Sequence, residues 1–123
     1  MQPAIHRYRP AAEYPTAERC DINELANLAA DEAVSIARAR VAPGVCTRWH
    51  HLTGIVERYV ILSGTGLVEV GELPAQPVAA LDVVLIPAGC RQRIRNTGTE
   101  DLVFLAICSP RFVDAAYVDL GDD

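Results

Sequence analysis

Two adjacent histidines and a nearby glutamate are the residues of this chain best suited to chemistry. His50, His51 and Glu57 all lie within residues 44–64, and the chain has only three histidines. Successive side chains of a strand point to opposite faces, so His50 shares a face with Leu52 and His51 lies on the other. We expect His50 to face the interior and His51 to face solvent or an interface, unless a bulge turns it inward.

Short apolar stretches separated by turn residues must position these side chains. Residues 58–70 are typical of a hairpin with a Gly-Thr-Gly turn. A further strand follows the hairpin and ends at Pro87 and Gly89. Residues 91–96 alternate, and 102–109 form a buried strand. Several short strands with turns between them predict an all-β sandwich or barrel. Residues 20–41 fit a helical stripe and an alternating strand about equally well.

The spacing of these residues resembles the two sequence motifs of the cupin family. The first motif corresponds to Gly44-x5-His50-x-Leu52-x4-Glu57-x6-Gly64, and the second to Leu81-x5-Pro87-x-Gly89-x2-Gln92-x3-Asn96. Seven of these ten defining positions agree at the correct spacing. The resemblance implies an all-β fold, a single cupin jelly-roll-like β-barrel.

Three positions depart from the family pattern. Leu52 and Gln92 stand where metal-binding histidines are usual, and Leu81 stands in place of a turn glycine. The resemblance still implies a divalent transition metal (Fe, Zn, Mn, Ni or Cu) held by His50, Glu57 and Gln92. The alternative is a metal-free cluster in which Gln92 and Glu57 hydrogen-bond His50, because buried polar groups must be paired.

These candidate residues support three functional hypotheses. The first is a metal-dependent enzyme that acts on a small organic molecule by oxygenase or isomerase/lyase chemistry, with Glu57 and Tyr59 as catalytic residues. The second is a metal-free module that binds or senses a small molecule. The third is metal-independent acid–base catalysis by His50 with Glu57, since a carboxylate beside an imidazole fixes its tautomer.

The arginines and one cysteine near these motifs allow further predictions. Arg38 and Arg40 lie on the strand before the first motif; pointing inward they would recognise a carboxylate or phosphate, and pointing outward they would be solvated. The arginines that alternate in the second motif should face outward, namely Arg91, Arg93 and Arg95. Cys90, just before them, could lie near the cavity mouth.

The whole chain has the composition of a small acidic domain. It has 123 residues, a net charge of −5 and four scattered cysteines, which we expect to be buried thiols. The charge argues against nucleic-acid or membrane partners, and the lack of a long apolar run favours a cytoplasmic location. We expect an arm at 1–19, a barrel domain at 20–115 and an acidic tail at 116–123 that is either frayed or packed on a neighbour. The cupin resemblance predicts a homodimer, and so do the apolar strand at 102–108 and the N-terminal arm, which could cover a sheet edge on a neighbour.

Overall fold

The computed structural model describes residues 1–122 and consists almost entirely of strands. In chain order these are β1 (Tyr14–Pro15), β2 (Asp21–Ala26), β3 (Ser35–Val41), β4 (Trp49–Leu52), β5 (Val56–Ser63), β6 (Gly66–Val70), β7 (Gln76–Val78), β8 (Val83–Ile86), β9 (Gln92–Asn96), β10 (Leu102–Ser109) and β11 (Tyr117–Gly121). Two three-residue 3-10 helices, Pro10–Ala12 and Asp114–Ala116, complete the elements. Within residues 1–122, neither is long or apolar enough to cross a membrane.

The strands form two antiparallel sheets. The first has the order β1-β2-β3-β10-β5-β8 and the second the order β11-β4-β9-β6-β7. The inner faces bury an apolar core that includes Ile61, Ile86, Ile94, Leu102 and Phe104. The all-β prediction is confirmed, although each sheet keeps its own edge strands and the two do not close into one continuous barrel.

The ambiguous region before the first motif is two strands rather than a helix. β3 pairs with β2 on one side and with β10 along its whole length on the other. Its alternation buries Ser35, Ala39 and Val41. Local helix propensity in residues 20–41 is overridden because β3 fills the position between β2 and β10, where both of its backbone edges find partners.

The two arginines of β3 point away from the core and bind the N-terminal arm. Arg40 contacts Glu13 over 2.5 Å and Arg38 contacts it over 3.3 Å. Arg38 also lies over the ring of Tyr8, and Asn23 of β2 donates a hydrogen bond to a carbonyl of the arm. The outward alternative for these arginines is therefore correct, and acidic groups of the same chain satisfy them.

The second-motif arginines also face outward, as predicted. Arg91 and Arg93 lie over the ring of Trp49 with their guanidinium carbons 4.6 and 4.3 Å from its centroid. Arg93 also pairs with Glu69, and Arg95 is exposed. This arrangement covers a tryptophan on the outer face of the second sheet.

The acidic C-terminal segment is an ordered strand packed on β4, so the tail is packed rather than frayed. β11 pairs with β4 along Tyr117–Gly121, and Arg48 binds Asp119 over 3.1 Å. An acidic segment can fray, but the backbone of this one pairs with the open edge of β4. The division of the chain at residues 19 and 115 stays a prediction, although both flanks contribute strands.

Two turns show where backbone conformation limits the residue type. Gly64 has φ +84°, and a Cβ there would lie 2.6 Å from the carbonyl oxygen of Asp101, so the turn requires glycine. Leu81 also adopts a left-handed φ, +72°, although its side chain is 78% exposed. The turn therefore keeps the geometry of the usual motif glycine and imposes it on a leucine.

Candidate functional site

A cavity of about 330 Å³ lies between the two sheets. Its walls are mostly apolar and include Ile22, Ile36, Leu52, Phe104 and Phe112. Polar side chains also reach this space, and they include Glu18, His50, Glu57, Tyr59, Cys108 and Tyr117. An apolar cavity with a few converging polar groups is the usual form of a small-molecule site.

β4 places His50 in this cavity and leaves His51 outside it. His50 and Leu52 line the cavity, in agreement with strand parity, whereas His51 is only partly buried and pairs with Val118. Nδ1 of His50 lies 2.8 Å from the carbonyl oxygen of Arg48. Because a carbonyl only accepts, Nδ1 carries the proton, and Nε2 of the neutral ring keeps its lone pair.

Two further contacts fix the imidazole of His50. Its ring stacks on Tyr117 with a centroid separation of 5.1 Å. Its Nε2 lies 3.4 Å from Oε2 of Glu18, which is close enough for an ion pair whenever the ring is protonated. Glu18 also accepts a hydrogen bond from the thiol of Cys20. The arm thus supplies a carboxylate to the one imidazole in the cavity.

Glu57 is held by a hydrogen-bond network that joins the sheets. The amide nitrogen of Gln92 in β9 donates to Oε1 of Glu57 in β5 over 2.6 Å. The hydroxyl of Tyr59 donates to the amide oxygen of Gln92. The thiol of Cys108 lies 3.6 Å from Oε2 of Glu57. Both ends of the buried amide are therefore satisfied by protein groups.

Burial controls the protonation of the groups in this network. It raises the pKa of Glu57 above its ordinary value, against the opposing effects of the Gln92 hydrogen bond and the nearby His50. Burial also raises the pKa values of Tyr59 and Cys108, and the Glu57 carboxylate raises them further. Glu57 consequently holds its proton to a higher pH than an exposed glutamate, and Tyr59 and Cys108 stay neutral.

The predicted metal ligands lie close together but are not arranged around a common open position. His50 pairs directly with Gln92 across β4 and β9, and its Nδ1 contact resembles that of a metal-binding histidine. However, Gln92 is fully buried and does not reach the cavity, and its oxygen accepts from Tyr59. Among residues 1–122, no three His, Cys, Asp or Glu side chains form a metal-binding group. In this arrangement Gln92 has no free donor atom to offer to a metal.

Several cavity residues were not predicted from the sequence. Glu18 and Glu24 come from the N-terminal flank, and Asp114 and Tyr117 come from the C-terminal flank. No motif marks them, because the path of the flanks over the cavity depends on long-range pairing. Cys90, predicted near the mouth, does not line the cavity and instead lies against Gly71.

Comparisons with known proteins agree with this fold and site. The model of the cupin domain family matches residues 37–108. An oxalate-binding protein from Thermotoga maritima is 35% identical over 89 residues, which cover 68% of this chain and 73% of that protein.

Solved structures show the same architecture at low sequence identity. The Streptomyces nucleoside dehydratase Pac13, solved as variants with uridine, gives a TM-score of 0.77 at 15% identity and covers 97% of this chain and 93% of its own. Oxalate decarboxylase from Lactobacillus farciminis gives a TM-score of 0.75 at 20% identity over 88% of this chain and 33% of its own. These two likenesses establish the fold alone. With the family match, they show that this chain belongs to the cupin family, as its motif spacing predicts.

Proposed function

We propose that this cupin binds a small organic molecule in the cavity between its sheets and transfers a proton on it, with His50 and Glu57 as the acid–base pair. The observation that carries the proposal is that the side chains of both residues line the same cavity. The contact of Nδ1 with a backbone carbonyl leaves Nε2 of His50 to accept a proton, and burial raises the pKa of Glu57 above its ordinary value. A base and an acid thus line one apolar cavity.

The proton balance of such a step is simple. Nε2 of His50 removes a proton from one atom of the ligand, and the electron pair of the broken bond shifts within the ligand. Glu57 gives its proton to a second atom or to a leaving hydroxyl group, and becomes a carboxylate. Glu18, 3.4 Å from Nε2, stabilises the imidazolium that forms. The oxalate-binding relative and the nucleoside dehydratase are consistent with a small-molecule ligand.

Solvent exchange into a small ketone tests the proposal. Hydroxyacetone in D₂O serves as the probe, proton NMR follows loss of its α-protons, and shifts of the protein signals report binding separately. We expect exchange above the buffer rate for the native protein and at least tenfold less for His50→Ala and Glu57→Gln. His51→Ala is the matched control and should exchange normally. Binding without exchange would reduce the function to that of a binding module, and equal losses at His50 and His51 would contradict the site.

A metal-dependent enzyme with the ligands His50, Glu57 and Gln92 is the second candidate. The contact of His50 Nδ1 with a backbone carbonyl favours it, because this orients Nε2 as in metal-binding histidines. A metal would have to displace Tyr59 and Glu57 from Gln92. Elemental analysis of protein purified without a histidine tag is the test. Near-stoichiometric metal supports this candidate, and none supports the acid–base pair.

We also propose a homodimer, with a cytoplasmic location as a further prediction. β8 is an edge strand, and the outer face around it exposes Leu62, Leu81, Val83 and Leu85 at 41–78%. An apolar face beside an unpaired edge favours association. Because the arm already binds β2 and β3 of its own chain, β8 is the better candidate for the interface than the arm.

A further inference from the structure

The charged residues around the cavity are unevenly distributed. All eleven basic residues of the chain are arginine, and none of them lines the cavity. Four acidic residues do line it: Glu18, Glu24, Glu57 and Asp114. His50 is the one group of the described lining that can become a cation. A small carboxylate would therefore enter a site without a guanidinium to receive it.

The two inner carboxyl groups are already engaged. Glu18 faces Nε2 of His50, and Glu57 accepts from Gln92 and Cys108. Glu24 and Asp114 differ, because they are exposed at the mouth and form no ion pair within 4.0 Å among residues 1–122. Glu24 and Asp114 therefore place negative charge at the exposed side of the cavity, with no ion-pair partner among residues 1–122.

Aromatic rings stand beside these two carboxylates. Tyr14, Phe112 and Tyr117 line the same cavity. The hydroxyl of Tyr14 lies 3.5 Å from Glu24 Oε1, and its pKa is raised by burial and then by the charges of Glu24 and Asp114. Tyr14 therefore lies within the field of both carboxylates. Aromatic faces and carboxylates together favour an organic cation.

Arg111 lies close to these two carboxylates without forming an ion pair within 4.0 Å with either of them. Arg111 lines a shallow hollow next to the mouth together with Glu24 and Asp114, but its guanidinium donates to the side-chain oxygen of Asn27 over 2.9 Å. At the inner end, the 96%-buried His50 lines the cavity, and its Nε2 lies 3.4 Å from Oε2 of Glu18. The cavity thus has a reactive inner end and an anionic mouth.

We propose that the ligand of this cavity is a small organic cation, an amine whose ammonium group lies between Glu24 and Asp114 and whose apolar body extends toward His50. This inference rests on the proposed function and names its ligand class. It differs from what the oxalate-binding relative would suggest, because oxalate is a dianion and the lining of this cavity has no arginine or lysine to pair with it.

Three probes of one shape and different charge test the proposal: benzylamine, benzyl alcohol and benzoate, with oxalate as a second anion. Isothermal titration calorimetry at neutral pH measures their affinities for the native chain. We expect benzylamine to bind at least tenfold more tightly than benzyl alcohol and both anions to bind least. Raising the ionic strength from about 0.01 M to about 1 M should weaken the binding of benzylamine and leave the binding of benzyl alcohol unchanged.

Charge-neutralising variants locate the effect. The double variant Glu24→Gln, Asp114→Asn should reduce benzylamine affinity to that of benzyl alcohol, while Glu72→Gln with Glu100→Gln, two exposed sites outside the cavity, should preserve the preference. Equal or tighter binding of the alcohol or an anion overturns the cation inference but leaves cavity binding intact. Failure of all four probes to bind the folded chain overturns both. Amine binding without hydroxyacetone exchange contradicts only the proposed chemistry.

Discussion

The amide nitrogen of Gln92 lies 2.6 Å from Oε1 of Glu57, and this contact joins the inner faces of the two sheets. The same amide receives the hydroxyl of Tyr59 through its oxygen. Gln92 therefore completes the hydrogen bonding of two buried polar groups while its own side chain is fully buried. Its place in the chain is that of a usual metal ligand, but its contacts are those of a structural bridge.

Replacement of Gln92 by leucine should therefore be costly. Gln92→Leu leaves Glu57 without its amide donor and Tyr59 without its acceptor, and we expect the free energy of unfolding to fall by about 2–4 kcal/mol. Gln76→Leu is the matched control, because Gln76 is exposed and bonds only a neighbouring carbonyl. Urea denaturation measures both. A loss no greater than that of the control would show that the bridge is not stabilising.

The pairing of the arm with β3 should give stability a defined pH dependence. The hydrogen bond from Arg40 holds the pKa of Glu13 below 4.5. A carboxyl whose pKa is lowered by folding stabilises the folded chain at pH values above its pKa in the unfolded state. This stabilisation is lost as the pH falls through the lower pKa of the folded state.

Glu13→Gln should therefore destabilise the native chain at neutral pH by about 1 kcal/mol or less, since the pair is partly exposed. The difference between the two proteins should shrink as the pH falls below 4.5. Thermal unfolding at a series of pH values measures this. Glu72→Gln, an exposed site without an ion pair among residues 1–122, should show no such convergence. A constant difference at all pH values would contradict the pairing.

Leu81→Gly should stabilise the chain although it removes a large side chain. A left-handed φ costs a non-glycine residue about 1–2 kcal/mol, and glycine loses about 0.5–1 kcal/mol through its greater freedom in the unfolded chain. Because the leucine is mostly exposed, little apolar burial is lost. We expect a net gain of about 0.5–1 kcal/mol. Leu81→Ala keeps the Cβ and should give no gain, so equal effects of the two variants would exclude backbone strain as the cause.

The dimer proposal predicts that a charge on the β8 face disrupts association. Leu85 is 68% exposed in the single chain, and a carboxylate there would be buried against an apolar partner surface. We expect Leu85→Glu to shift a dimer to a monomer in light scattering at micromolar concentration. Leu73→Glu, at a similarly exposed leucine in a turn, should remain dimeric. A native chain that is already monomeric would contradict the proposal.

Local patterns predicted the elements between residues 44 and 109, and long-range pairing determined the rest. Turn residues such as Gly64 and alternating side chains such as His50 and His51 depend on neighbours in sequence, so motif spacing is sufficient to place them. The ordering of β11 depends on a free edge of β4, and the position of Glu18 depends on the fold of the arm. Neither leaves a local signal.

The sequence did not predict the hydrogen-bond partners of Gln92 either, because they also depend on residues far away in the chain. Spacing placed it near His50 and Glu57, and the structure confirms their proximity. Which atom faces which partner depended on Tyr59, whose ring enters from the opposite sheet. A motif therefore predicts which residues lie close together more readily than it predicts which of their atoms are free to bind a metal.

Two different parts of the chain supply the inner end and the entrance of the cavity. His50, Glu57 and Tyr59 lie within the segment matched by the family model, while Tyr14, Glu24 and Asp114 lie outside it. Reactive groups and entrance are thus encoded in separate stretches of sequence. Exchange of residues 1–27 and 110–122 with those of another cupin, with Glu18 and Tyr117 kept because they contact the His50 ring, should transfer ligand preference and leave the inner pair unchanged. The rest of these flanks is thus a natural unit for grafting.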